Sequence, residues 1–394
     1  MPGGAGGGDR PQQPQAARGR RQQAASLPLD VMAEIAACSD PATLVRCAAT
    51  CREVRRRVAD DPAFRRRLRL QHTDRFVPPL LRGHFAGKTT GFYPNSKNEL
   101  YLVDTAAADA TKVRGVTGGF PSGPLASRDG LLLVRAAKEL RVCDPATGRS
   151  QVLPSEPTFP RPATIWQGYH SSKYVLLAGN TEGGCAGAVC RPFQVLIAKL
   201  DVSEHRRHLQ IHTFSSVDDT WGPYTEIRIP NLYGSRLLQD LGEGLVVGGA
   251  VHWLCQTDSG SYVIKLHVKA AQVTISELPE SFRGGRRRIE HLLATTSLSG
   301  SPIVLVNDNT KISVWSQSKQ TTKWKQQPQV IGVYELVRYA ISNGENIPLS
   351  TTRRINLHWF AERSGLVLIE ISYDGFIWLD IRSMEMVRCS RIVL

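Results

Sequence analysis

Cys47 and Cys51 stand four residues apart in LVRCAATCREV. That spacing puts two thiolates on one face of a helix, half of a tetrahedral zinc site. The other half would have to come from Cys38, His72 or His84, none of which sits in a second CxxC or HxxxH. Both cysteines also fall on an apolar stripe with Leu44, Ala48, Val54 and Val58, so buried structural thiols are the expected role. His205, His208 and His212 in EHRRHLQIH have the spacing of a helical metal face, but the IHTFSS that follows reads as strand, where the three would split across faces. GEGLVVGG (242–249) contains a G-x-G that runs on into AVHWLC as strand, whereas a dinucleotide fingerprint must open a helix. No P-loop and no HExxH occurs, and nothing assembles a nucleophile, a base and an oxyanion hole. The chain is expected to bind rather than catalyse, with no metal and no cofactor.

The elements that would carry a binding surface divide by composition. Of 394 residues 41% are hydrophobic and 21% charged, the make-up of an ordinary globular protein long enough for a sizeable core. The net charge is +14, and residues 1 to 70 supply +6 of it, with thirteen arginines, no lysine and seven Asp or Glu. A solvated helix face is the plainer reading of those arginines, and a nucleic-acid contact the sharper one. The eight cysteines form no small-domain framework. MPGGAGGGDRPQQPQ has no apolar signal core, and no later stretch reaches the apolar length of a membrane span. Reduced thiols in the cytoplasm or nucleus are expected, with no membrane partner. Arg18, Arg20 and Arg21 could serve a nuclear address.

Residues 1–25 are Gly, Pro, Gln, Ala and Arg with almost nothing to bury, so a disordered tail is expected. Residues 26–72 read as three short helices. Pro28 suits a first turn, and Asp40-Pro41 and Asp61-Pro62 are further start signals, the last followed by Phe64 and Leu68 one turn apart. Residues 73–90 read as linker and 91–394 as an all-β domain. SRDG (127–130) reads as a turn leading into the apolar run LLLV, and hairpins are expected at IVLVNDNTKISVW (303–315) turning on Asn307-Asp308-Asn309 and at LVLIEISYDGFIWLDI (366–381) turning on Asp374-Gly375. Such units return at roughly 50 to 65 residues, which favours a β-propeller over a β-sandwich without fixing a blade number. SVDDTW (216–221) resembles the Asp-box of sialidase propellers but lacks its spacing and glycine, and does not repeat.

The helical stretch resembles an F-box. The matching positions are Leu27-Pro28, Asp30, Glu34-Ile35, Leu44-Val45-Arg46-Cys47, Cys51 and Pro62-Ala63-Phe64. It departs from the family at Val54, where Trp is common, and at Ser39, where Leu is common. The remainder is similar to the F-box-associated regions of large plant families, particularly of grasses, for which kelch-like propellers are one structural model. The phrases that carry this are LASRDGLLLVR, CDPATGR, GGAVHWLC, ISVW and FAERSGLVLI.

The resemblance implies a non-catalytic substrate receptor of an SCF-type ubiquitin ligase. The F-box would dock on a Skp-type adaptor, held in turn by a cullin and a RING subunit, and the β domain would select an unknown target protein. On this reading Leu27, Pro28, Leu29, Val31, Ile35, Leu44 and Val45 supply apolar contacts to the adaptor, and Glu34 and Arg46 polar ones. Some of these could instead only pack the helices together. Candidates for target binding are the loop aromatics Trp166, Tyr169, Trp221, Tyr224, Tyr233 and Trp324, each of which could equally be blade packing. His252-Trp253 reads as core. Two rivals remain. One is a basic nucleic-acid-binding regulator using the N-terminal arginines, although nucleic acid is not the expected partner. The other is an enzyme on the propeller, needing carboxylates or metal ligands that meet at one end of it.

Overall fold

A computed structural model describes Pro28, Val31, Ile35, Cys47 and residues 51–61, then the strands and turns from 83 to 388 apart from gaps, the longest at 91–96, 118–123, 161–171, 179–188, 283–288 and 342–353. The chain divides into two compact units, Met1–Phe64 and Arg65–Leu394.

In the second unit, antiparallel meanders build the blades of a five-bladed β-propeller. The first blade holds Ala126–Arg128, Leu131–Ala136, Glu139–Asp144 and Arg149–Val152. In the second, Lys173–Ala178, Phe193–Val202 and Arg207–Ser215 are edged by Thr220–Trp221 and Thr225–Arg228. The third holds Leu245–Val247, Ala250–Gln256, Ser261–His267 and Gln272–Glu277, and the fourth Glu290–Thr295, Pro302–Asn307, Lys311–Gln317 and Trp324–Gly332. The fifth holds Ile355–Ala361, Leu366–Ile371, Gly375–Asp380 and Met386–Arg388. A three-stranded sheet, Gly83–Thr90, Lys97–Asp104 and Ala110–Thr117, precedes them. Its first strand lies where the sequence reads as linker.

Local chemistry sets the hairpins. Asp129 and Gly130 (φ 50° and 79°) join Arg128 to Leu131, and Gly248 and Gly249 (φ 57° and 77°) join Val247 to Ala250. Two consecutive residues at positive φ make the turn whose twist matches that of the flanking strands. At 307–311 the Asp308 carboxylate accepts from the Thr310 and Lys311 amides, holding Asn309 at φ 67°.

Middle strands read as unbroken apolar runs because blades cover both of their faces. Ala250–Cys255 are all buried, His252-Trp253 included, as the sequence reading expects. Leu131, Leu133 and Val142 of the first blade pack with Val195, Ile197 and Phe214 of the second. Leu196 and Leu209 pack with Trp253 and Ile264 of the third, and a further cluster runs through blades three to five. Deleting one such side chain to Ala costs about 2–5 kcal/mol. The three-stranded sheet fills the seam between the last blade and the first. Its Phe85 packs on Leu132 and Val134, while the His84 ring lies 4.9 Å from Phe376 and 6.2 Å from Trp378. Helix Val333–Ile341 follows the fourth blade, with Leu336 and Val337 inward.

The three-helix reading of the first unit holds only in part. Its described residues show helix at Val31, Ile35 and Cys47 and over Arg52–Asp60. The third expected helix, around Phe64 and Leu68, lies outside the described residues. The helical backbone under the stripe from Leu44 to Val58 is interrupted at Cys51, although the described stripe residues Cys47, Cys51 and Val54 are half-buried or buried. Cys51 is extended (φ −116°, ψ 111°) and stands as the N-cap of Arg52–Asp60, although its own N–H still donates to the Cys47 carbonyl at 2.8 Å. A period of 3.6 survives one non-helical residue, so periodicity does not reveal the break.

Candidate functional site

In the first unit, Val54 is buried at 2% exposure, while Arg52, Arg55 and Arg56 point to solvent. Arg56 pairs with Glu53 at 2.8 Å, one helical turn away. Val54 thus fills the inward position despite its departure from the family residue. Cys47 and Cys51 are half-buried. Pro28, Val31 and Ile35 are all exposed, the last two at 41% and 52%, and both are helical and four residues apart. Apolar side chains at that spacing share one face of a helix, and both are exposed. Leu27, Leu29, Glu34, Leu44, Val45 and Arg46 lie outside the described residues, as do Cys38 and His72.

In the propeller, the aromatic candidates separate. Trp221 packs edge-on against Phe214, ring centres 5.5 Å apart, and its Nε1–H donates to the Pro154 carbonyl at 3.2 Å. Tyr224 lies against the His212 ring, which Phe159 flanks on the connection from the first blade to the second. Burial pushes the Tyr224 hydroxyl up and the His212 imidazole down, the latter opposed by the Thr158 backbone. His208 and His212 are strand residues, and His205 sits in the bend before them. Trp324 opens a strand of the fourth blade and is buried at 6%, in the core. Trp166 and Tyr169 lie outside the described residues. Among the described residues no group of three His, Cys, Asp or Glu is placed to hold a metal.

Among the described candidates Tyr233 is the most exposed, at 60%, on the connection from the second blade to the third. That connection is pinned throughout. Leu232, Leu237 and Leu241 are buried beneath it. Thr257 Oγ1 donates to the Tyr233 carbonyl at 2.7 Å, and the Ser235 amide and hydroxyl donate to the two Asp258 oxygens at 2.8 and 2.5 Å. The Ser235 bonds hold the Asp258 carboxyl below the usual range, against the opposing effect of burial. The Leu238 amide donates to Gln256 and that of Gly242 to Leu254. Leu238, 59% exposed, and Arg236 are functional candidates that sequence reasoning misses, because burial of the flanking leucines is set by a strand of the next blade.

An ionic network joins first, third and fifth blades. Arg128 pairs with Glu362, Arg363 with Asp129 at 2.7 Å, and Glu362 also accepts from the Val246 amide at 3.2 Å. Burial raises the Glu362 carboxyl, and Arg128 opposes the shift. A second junction joins blades one and two, where Arg135 and Tyr174 both bind Glu156, the tyrosine hydroxyl donating at 2.5 Å.

Residues 105–393 match a family model described as a domain of unknown function (DUF7595), and residues 24–71 match one described as F-box-like. No curated protein matches the chain. Among solved structures, a crystal structure of a protein from Lactobacillus plantarum is similar at 12% identity and a TM-score of 0.39, over 77% of this chain and 79% of that one. The WD40 domain of SCAP from fission yeast is similar at 9% identity and a TM-score of 0.36, over 80% of this chain and 64% of that one.

Proposed function

This chain belongs to the family of the domain of unknown function DUF7595, and from that domain joined to an F-box-like segment we propose a substrate receptor of an SCF-type ubiquitin ligase. F-box domains generally bind Skp-type adaptors, and an F-box ahead of a propeller is an architecture typical of non-catalytic receptor subunits. The adaptor would be held by a cullin carrying a RING subunit. The propeller would hold a target lysine near the charged conjugating enzyme, raising its effective concentration without any bond chemistry of its own. The work would take place in the cytoplasm, the nucleus or both. The likeness of LASRDGLLLVR and GGAVHWLC to plant, grass-type F-box-associated regions supports a receptor of that kind.

The observation that carries this reading is the exposed pair Val31 and Ile35, with Pro28 beside them in sequence, in the segment where the family docks. Its test is co-purification of the full chain with a Skp-type adaptor. The intact chain is expected to retain the adaptor, and both Leu27→Ala/Pro28→Ala and Val31→Asp/Ile35→Asp to lose it. Substitutions at exposed positions change stability by only about 0.5 kcal/mol, so the Asp pair is expected to unfold as the parent does. Failure of the intact chain to hold any adaptor ends the ligase reading.

A further inference from the structure

The connection between the second and third blades holds more order than a connector requires. A link of this length needs to bury Leu232, Leu237 and Leu241 and satisfy its backbone, and it does both. It adds a clamp: Ser235 bonds both oxygens of Asp258, and Thr257 Oγ1 binds the Tyr233 carbonyl while accepting from the Ser259 and Gly260 amides. Gly234 sits at φ 120°, so close that a Cβ there would meet Thr257 at 2.6 Å and Asp258 at 2.7 Å. Arg207 reaches in to donate to the Gly234 carbonyl at 3.1 Å. What this rigid frame turns outward is Tyr233 and Leu238, at 60% and 59% exposure within six positions, with Arg236 exposed between them. A backbone already ordered beneath exposed apolar side chains leaves less to be ordered when a partner covers them, which is the property of an interface anchor.

Charge narrows the partner. Of the nearby carboxylates, Asp258 is engaged by Ser235, Glu226 by Arg206 at 2.8 Å and Glu243 by Lys173 at 2.9 Å, while Asp240 at the end of the segment is half-buried. The cations Arg228 and Arg236, five positions before and three after Tyr233 in sequence, are both exposed, in a chain of net charge +14. We propose that the pinned segment Leu232–Leu241, presenting Tyr233, Arg236 and Leu238, is a docking surface for an extended acidic segment of a partner protein that carries an apolar side chain. On the receptor reading, from which this takes its biological meaning, that segment belongs to the protein to be ubiquitinated.

The test is selection of a random decapeptide display library on the immobilised full chain, without adaptor. The expected result is an enriched consensus of Asp or Glu around one large apolar residue. Its binding should weaken at least tenfold in Tyr233→Ala and in Leu238→Ala and fall with added salt, and Arg236→Glu should select against it. The proposal is overturned by failure to enrich any consensus, by a basic consensus, or by binders indifferent to these positions. A dimer of the full chain that dissociates in Tyr233→Ala would assign the surface to a second copy and overturn it equally. The same variants are carried through adaptor co-purification, where Tyr233→Ala is expected to behave as the parent. Loss of peptide binding with the adaptor retained, or the reverse, then tells which of the two readings fails.

Discussion

Arg128 and Glu362 form an ion pair between the first and last blades, 234 residues apart in sequence. No described strand of one blade comes from the other end of the chain: the last blade is built wholly from 355–388 and the N-terminal sheet from 83–117. Side chains therefore close the ring, through Phe85 and His84 at the seam and through Arg128, Asp129, Glu362 and Arg363. Breaking one partner of a largely desolvated pair leaves the other charge uncompensated, whereas replacing both with apolar groups of similar size is far milder. Arg128→Met and Glu362→Leu are each expected to cost about 1–3 kcal/mol, and the double variant clearly less than their sum. A urea-denaturation double-mutant cycle measures this. Strict additivity would mean that the pair does not act as one unit.

That closure is invisible in the sequence, and the reason is separation. Nothing local marks Arg128 in SRDG or Glu362 in FAERSG as partners. The turns at Asp129-Gly130 and Asn307–Asn309 are legible, because they are set by backbone chemistry within four residues, whereas Gly248-Gly249, read from sequence as continuing strand, turns a hairpin. Trp324 shows the opposite limit. TTKWKQQ reads as a polar loop, yet it pairs with Lys311–Gln317 as a strand and turns its one Trp into the core. Val31 and Ile35 are exposed in the segment that resembles an F-box, and Tyr233 is singled out among its fellow aromatics by its exposure and by the clamp beneath it.

Acid should loosen the propeller through its histidines. Burial lowers His84, His252 and His291 to about 4, with small additions from His358 at His84 and from Lys265 and His267 at His252. In the unfolded chain each titrates near the ordinary value of about 6.5. Below that pH the unfolded state takes up protons that the folded state refuses, so stability is full above about 6.5 and falls as the pH drops towards 4. At pH 5 the loss is about 2 kcal/mol per histidine. His252→Leu is expected to shrink the difference in urea stability between pH 7 and pH 5 by about that amount. An unchanged difference would show that His252 does not carry the effect.

Gly234→Ala tests the clamp on the Tyr233 loop. The new methyl would have to occupy space held by Thr257 and Asp258, on a backbone at φ 120° that side chains rarely adopt. A cost of about 1–3 kcal/mol is expected. It should be concentrated locally, as faster amide exchange at Ser235 and Leu238, whose N–H groups bond Asp258 and Gln256. Uniform acceleration across all five blades would instead mean that the connection is integral to the ring.

The helix Arg52–Asp60 begins on a poor cap, and this offers a prediction of gain. Cys51 has the extended backbone of an N-cap but makes no side-chain bond to the first turn. A thiol is a weak acceptor, whereas Ser, Asp or Asn at this position typically contributes about 1 kcal/mol by accepting from an amide two or three residues on. Glu53 already places a negative charge in the first turn, where the helix dipole favours it. Cys51→Ser keeps the size of the half-buried side chain and supplies the missing oxygen. Amide exchange over 52–60, measured on the full chain, is therefore expected to slow about fivefold, the equivalent of about 1 kcal/mol. Faster exchange would mean that the thiol holds the break at Cys51 by apolar packing, and that the helix start is set by its neighbours rather than by its cap.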